Sequence, residues 1–166
     1  MRQLTKKTAR VIGTAAATAG LAVTAAVGTA SPASAETPDW LMSMNSGKCL
    51  VAQGGNDGSS VFQYSCLSYN DQKWAFQSYG NDTYNIMNLN SHKCLVVQGT
   101  SNGNGAFQTE CDFFADQKWV MVRSEAGFML ANYNSGKCLV VQGTANGSRA
   151  FQYTCDSSMP DQWWHY

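Results

Sequence analysis

The sequence is poor in the residues that most chemistry requires. It holds two histidines, His92 and His165, and only 13% of its residues carry charge. No Cys-x-x-Cys occurs among its six cysteines and the histidines lie in unmatched places, so no zinc-ligand spacing is present and no metal or other cofactor is implied. No grouping of nucleophile and base recurs, which leaves no candidate catalytic residue. Basic and acidic side chains number 11 each. They are scattered, without the patch that nucleic acid or an anionic lipid surface would demand. No segment sustains a helical period.

The apolar run from Val11 to Ala30 follows the basic stretch MRQLTKKTAR and precedes SPASA, which ends in Ala33-Ser34-Ala35. That three-part layout predicts a secretory signal peptide over residues 1–35, cleaved after Ala35, and hence an extracellular protein. The alternative is a membrane anchor, but the run is rich in Ala, Gly and Thr and so weakly hydrophobic. Cleavage would leave residues 36–166, a single domain by size with no membrane segment. Losing Arg2, Lys6, Lys7 and Arg10 leaves 7 basic against 11 acidic side chains, net −4.

What is present is a repeat. CLVAQGGNDGSSVFQYSC (49–66), CLVVQGTSNGNGAFQTEC (94–111) and CLVVQGTANGSRAFQYTC (138–155) are variants of one unit. Asn45, Asn90 and Asn134 open the units in NSGKC, NSHKC and NSGKC, and each closes on a Gln-x-Trp ending in Trp74, Trp119 or Trp164. Asp57-Gly58, Asn102-Gly103 and Asn146-Gly147 are hairpin-turn signals. Runs such as VFQY (61–64), WAFQ (74–77) and KWVMV (118–122) read as strands, predicting an all-β domain of about a dozen short strands. Six cysteines in an exported chain read as disulfides. Among fifteen possible pairings, Cys49–Cys66, Cys94–Cys111 and Cys138–Cys155 treat the three copies alike.

Three repeats with Cys-Leu after Ser-Gly-Lys, a second Cys and a terminal Gln-x-Trp resemble the ricin B-chain type lectins, over about Trp40 to Tyr166. The resemblance implies a β-trefoil of three lobes, about 39–79, 80–123 and 124–166, with up to one sugar pocket per lobe. It also implies the disulfides within each lobe. Trp74, Trp119 and Trp164 are expected in the core, and Phe62, Phe107 and Phe151 are expected to be structural.

In the family pattern an Asp two residues after the first cysteine accepts hydrogen bonds from sugar hydroxyls. An aromatic two before the second cysteine stacks on the sugar, and an Asn just before the Gln-x-Trp assists. Here the first position is Val51, Val96 and Val140, and the last is Asp71, Asp116 and Asp161. The carboxylate is expected to have moved across the pocket, which alters the sugar preference; the alternative is that these aspartates cap turns. The stacking position reads Tyr64, Thr109 and Tyr153, which marks lobe two as weakest. Phe62 and Tyr64 lie two apart and so share a face. If the Phe is core, then either the strand bulges or the Tyr is core too and Gln63, Gln108 and Gln152 face the pocket. Gln53, Gln98 and Gln142 offer a donor and an acceptor beside the rim, or else brace the loop. The expected protein is a secreted, monomeric, non-catalytic carbohydrate binder whose weak pockets act together. The rival is a trefoil that binds or inhibits a protein, its sugar sites lost.

Overall fold

The computed structural model describes residues 38–166, so the expected signal segment at 1–35 lies outside the described residues. In lobe one, β1 (Asp39–Trp40) and β2 (Met42–Ser43) form an interrupted first strand, followed by β3 (Cys49–Ala52), β4 (Ser59–Tyr64) and β5 (Lys73–Gly80). Lobe two contributes β6 (Thr83–Asn88), β7 (Cys94–Val96), β8 (Phe107–Thr109) and β9 (Lys118–Arg123). Lobe three contributes β10 (Phe128–Asn132), β11 (Cys138–Val140), β12 (Phe151–Tyr153) and β13 (Trp164–His165). A short 3-10 turn precedes the last strand of each lobe, at Asn70–Gln72, Ala115–Gln117 and Pro160–Gln162.

The first and last strands of the lobes pair in one closed ring. β1 pairs with β5, β5 with β6, β6 with β9, β9 with β10, β10 with β13, and β13 with β2. This six-stranded barrel is capped by the hairpins β3–β4, β7–β8 and β11–β12. The architecture is a β-trefoil. At the cap the pseudo-threefold axis is traced by a triangle of backbone bonds: Val61 N–H donates to Ala106 O (3.0 Å), Ala106 N–H to Ala150 O (2.8 Å) and Ala150 N–H to Val61 O (2.9 Å). A single lobe has no partner for these edge groups, which is why one copy of the repeat is not a stable unit.

The apolar stripe of each lobe points into one shared core. Trp74, Trp119 and Trp164 are fully buried, and their indole N–H groups donate to Leu50 O, Leu95 O and Leu139 O at 3.0, 3.0 and 3.2 Å. The Gln of each Gln-x-Trp is equally structural. Gln72, Gln117 and Gln162 accept from the backbone N–H of Leu67, Asp112 and Asp156 and donate to the carbonyls of Ser65, Glu110 and Thr154. All three expected disulfides are present, each closing a separation of 17 residues with Cα atoms 5.0 Å apart. Closing loops of this size removes chain entropy from the unfolded state worth about 3 kcal/mol apiece.

The expectation for Gln63, Gln108 and Gln152 as pocket residues is corrected here. All three are fully buried, and the exposed face of their strand is the opposite one. Gln63 accepts from Ser46 Oγ (2.6 Å) and donates to Gly143 O (3.0 Å) and Ala145 O (3.1 Å) of lobe three. Gln108 joins Ser91 to Gly54 O, and Gln152 joins Ser135 to Gly99 O and Ser101 O. Each side chain thus ties its own lobe's opening turn to a neighbouring lobe's hairpin loop. The hairpin glycines Gly58, Gly103 and Gly147 take the positive φ that those turns require (81°, 88° and 84°).

Candidate functional site

Strand alternation divides each capping hairpin into two faces. In β3, Leu50 and Ala52 belong to the core cluster, whereas Cys49 and Val51 face outward, as does Gln53 just beyond the strand. Opposite them in register, Tyr64 pairs with Cys49 and Phe62 with Val51. Phe62 and Tyr64 therefore share the outer face, with no bulge between them. Phe62, Phe107 and Phe151 are half-buried on that face and are not part of the core cluster, because Val61, Ala106 and Ala150 occupy the inner positions.

Tyr64 and Tyr153 are 40% and 43% exposed, so neither is a core residue. Thr109 holds the same position in lobe two and pairs with Cys94. Val51, Val96 and Val140 are buried to 1% exposure. The 3-10 turn of each lobe packs over the strand that carries the valine. The floor on which the family's usual acceptor would stand is therefore apolar and covered.

Asp71, Asp116 and Asp161 sit in the first turn of those 3-10 segments, half-buried, and the residues that open the turns, Tyr69, Phe114 and Met159, supply no side-chain cap hydrogen bond. One carboxylate oxygen of Asp71 and one of Asp116 is buried with no hydrogen-bond partner among the described residues. Burial pushes the Asp71 and Asp161 carboxyls above the usual carboxylate range. Beside Asp71 opens a shallow cleft of about 460 Å³ lined by Ser68, Tyr69, Asn70, Asp71 and Asn90. Backbone around the turns is pinned across lobes. Asn88 Nδ2 donates to Asp71 O (2.9 Å), and Asn132 Nδ2 to Asp116 O (2.7 Å).

Gln53, Gln98 and Gln142 are exposed, and their side-chain amides make no hydrogen bond among the described residues. The outer face of lobe one thus presents Tyr64, Phe62 and Gln53 along the hairpin, with the turn of Asp71 packed against β3. Lobe three repeats this with Tyr153, Phe151, Gln142 and Asp161. Lobe two has Phe107, Gln98 and Asp116, with Thr109 in place of the exposed tyrosine. An exposed ring, free amides and a carboxylate lacking a full set of donors suit a ligand of apolar faces and hydroxyls. Among the described residues no group of histidine, cysteine, aspartate or glutamate is arranged to hold a metal ion. Sequence reasoning did not anticipate the orphaned oxygens of Asp71 and Asp116, since a one-dimensional pattern carries no burial of single atoms.

Residues 40–166 match the model of the ricin-type beta-trefoil lectin domain. Among solved structures the chain is similar to ThreeFoil, a designed threefold-symmetric protein, with 30% identity and a TM-score of 0.73 over 75% of this chain and 94% of that one. It is also similar to the hemolytic lectin CEL-III (28% identity, TM-score 0.67) over 82% of this chain and 31% of that one. An exo-beta-1,3-galactanase from Clostridium thermocellum shares the fold at 22% identity, with a TM-score of 0.73, over 78% of this chain and 29% of its own. The chain therefore spans under a third of the length of the last two. No curated protein matches the sequence.

Proposed function

We propose that this chain, which belongs to the ricin-type β-trefoil lectin domain family, binds carbohydrate through the outer faces of its lobes. The observation that carries the reading is the pairing, in lobes one and three, of an exposed tyrosine with a half-buried aspartate. In each case the aspartate's turn packs against the strand opposite that tyrosine. The ring would stack on the apolar face of a sugar. The carboxylate would accept from its hydroxyls in bonds stronger than neutral ones, and Gln53 or Gln142 would add a donor and an acceptor. Because the family's acceptor position is a covered valine, the sugar preference differs from that of pockets with Asp there. Asp116 and Gln98 make lobe two a weaker third pocket. The protein acts as a secreted, non-catalytic monomer, and several shallow pockets on one polymer or cell surface raise the effective affinity.

A second reading is favoured by the three covered valines: the sugar sites are lost and the trefoil binds a protein as a partner or inhibitor. A glycan-array screen of the oxidised chain beside the Asp71→Ala/Asp161→Ala variant separates the two. Defined hits that vanish in the folded variant support the carbohydrate reading. Silence from the folded wild type favours the protein partner, to be sought by pull-down.

A further inference from the structure

The threefold repeat serves as an internal control, because residues that the fold requires recur in each lobe. Where lobes one and two meet and the start of lobe three adjoins them, a set of exposed rings breaks the repeat. Tyr79, Phe113, Phe114 and Tyr133 are all exposed. Their counterparts elsewhere in the repeat are mostly not aromatic: Ser124 for Tyr79, Ser68 for Phe113, and Met44 and Leu89 for Tyr133. Between the β5–β6 turn and β9 lies an open cleft of about 420 Å³ walled by Tyr79, Asn81, Thr83, Lys118 and Tyr133 among others.

Tyr79 is held in place deliberately by its surroundings. The β5–β6 register shifts between Ser78 and Gly80, so Tyr79 is the extra residue of a bulge, a device that re-aims one side chain. Its hydroxyl accepts from Asn85 Nδ2 at 3.0 Å, and Phe113 packs edge-on at 6.2 Å between ring centres. The Lys118 ammonium stands 5.1 Å from the ring centre. Asn85 is almost fully buried, and the same amide donates to Asp112 O at 3.4 Å. Its own oxygen is buried without a hydrogen-bond partner among the described residues. Trp40 and Met129 fill the corresponding position in the other lobes. A buried amide with one orphaned atom is a cost that the core does not require. What it secures is an exposed tyrosine in one orientation, so that a ligand meets a ring whose freedom has already been lost.

We propose that this seam is a second saccharide site, separate from the lobe pockets, in which Tyr79 and Tyr133 contact a pyranose ring and Lys118 takes its polar substituents. The two rings offer apolar faces for the sugar's C–H groups. Asn81 and Thr83 line the same cleft with amide and hydroxyl groups. Lys118 pairs with no carboxylate among the described residues, so its ammonium, seated over the Tyr79 ring, keeps its hydrogen-bond donors for hydroxyls or for the carboxylate of a uronic acid. Lobe two, whose lobe pocket lacks a ring at Thr109, is thereby furnished with aromatic contacts on its neighbouring surface.

The test is an NMR titration of the oxidised full chain, following backbone amides, with galacto-, xylo- and galacturono-oligosaccharides at millimolar concentration. At least one of them is expected to shift the amides of Asn81, Thr83, Lys118 and Tyr133. Tyr133→Ser should weaken that response by about tenfold, the loss of one stacking contact. Tyr79→Ser should do the same, whereas Asp71→Asn/Asp161→Asn should leave it unchanged. A preference for the uronate series would assign Lys118 to a carboxylate, and a preference for the neutral series to hydroxyls. The proposal is overturned if none of the oligosaccharides moves these amides, or if the response survives in Tyr133→Ser. Amides of Gln53 and Gln142 report on the lobe pockets separately, so the two sites stand or fall independently.

Discussion

Ala52 and Val61 face each other across the β3–β4 hairpin, and the pair runs in the opposite order from its counterparts. Lobe two has Val97 with Ala106 and lobe three has Val141 with Ala150, all within the core cluster. Each lobe thus contributes one Val and one Ala, but lobe one puts its Val on the axis triangle. Val61→Ala alone should cost about 2 kcal/mol through the cavity it opens. Ala52→Val alone should cost about 1–3 kcal/mol by overpacking. The double variant restores the order of the other lobes, and its loss should fall short of the sum by at least about 1 kcal/mol. Denaturant titration of the four proteins measures this, and strict additivity would contradict it.

The buried glutamines give a graded expectation. Gln63→Leu and Gln152→Leu each strand a serine hydroxyl and two carbonyls, whereas Gln108→Leu strands one hydroxyl and one carbonyl. Losses of about 2–4 kcal/mol are expected for the first two and less for the third. Thermal melts of the oxidised proteins would reveal the order, and equal losses would speak against carbonyl stranding as the cause.

Much of this architecture was legible in the sequence because the repeat states each structural requirement three times. The cysteine pairs, the hairpin glycines and the Gln-x-Trp each recur at one spacing, and each has one structural role in all three lobes. The faces of the hairpin were harder to read. Phe62 looks like a core residue and Gln63 like a surface one, yet the structure reverses them. Hydrophobicity favours burying the ring, but Val61 already occupies the inner side, and period-2 alternation sends Phe62 outward. Gln63 tolerates burial because three partners from two lobes satisfy its amide. The seam around Tyr79 was invisible for the opposite reason. It occurs once, and its parts lie on strands that only the barrel brings together.

His92 marks a departure that should be reversible. It holds φ 57° where Gly47 and Gly136 hold 64° and 66°, and its side chain makes no hydrogen bond among the described residues. Relief of left-handed strain is worth about 1–2 kcal/mol, offset by about 0.4–1 kcal/mol for the greater freedom of glycine when unfolded. His92→Gly should therefore stabilise by about 0.5–1 kcal/mol in chemical denaturation. A loss would mean that strain at this turn is negligible.

Ser43 is the weak member of another set. Asn88 and Asn132 each donate to an aspartate carbonyl and accept from the backbone N–H groups two and three residues on, but Ser43 Oγ is buried with no hydrogen-bond partner among the described residues. Ser43→Asn supplies the missing reach to Asp161 O and to the N–H groups of Asn45 and Ser46. A gain of about 1 kcal/mol is expected, the net worth of an added intramolecular bond plus relief of an orphaned group. A lower melting temperature would show that lobe one has no room for the amide.

Asp71 and Asp161 should trade stability for binding. Burial raises both carboxyls above the ordinary value of 3.8, so the folded state holds these protons more tightly than the unfolded state does. Their contribution to stability is then fully present below 3.8 and is lost as pH rises through the folded pKa. At neutral pH the ionised groups burden the fold. Asp71→Asn/Asp161→Asn removes that burden, so its melting temperature should exceed the wild type's at pH 7, with the difference closing as the pH falls toward about 4. Glycan binding by the lobe pockets should drop over the same neutral range, because a neutral amide replaces a charged acceptor. If the aspartates only brace their turns, the variant will melt lower than the wild type and bind as well. A protein that becomes more stable and binds less would identify carboxylates kept for a ligand against the interest of the fold.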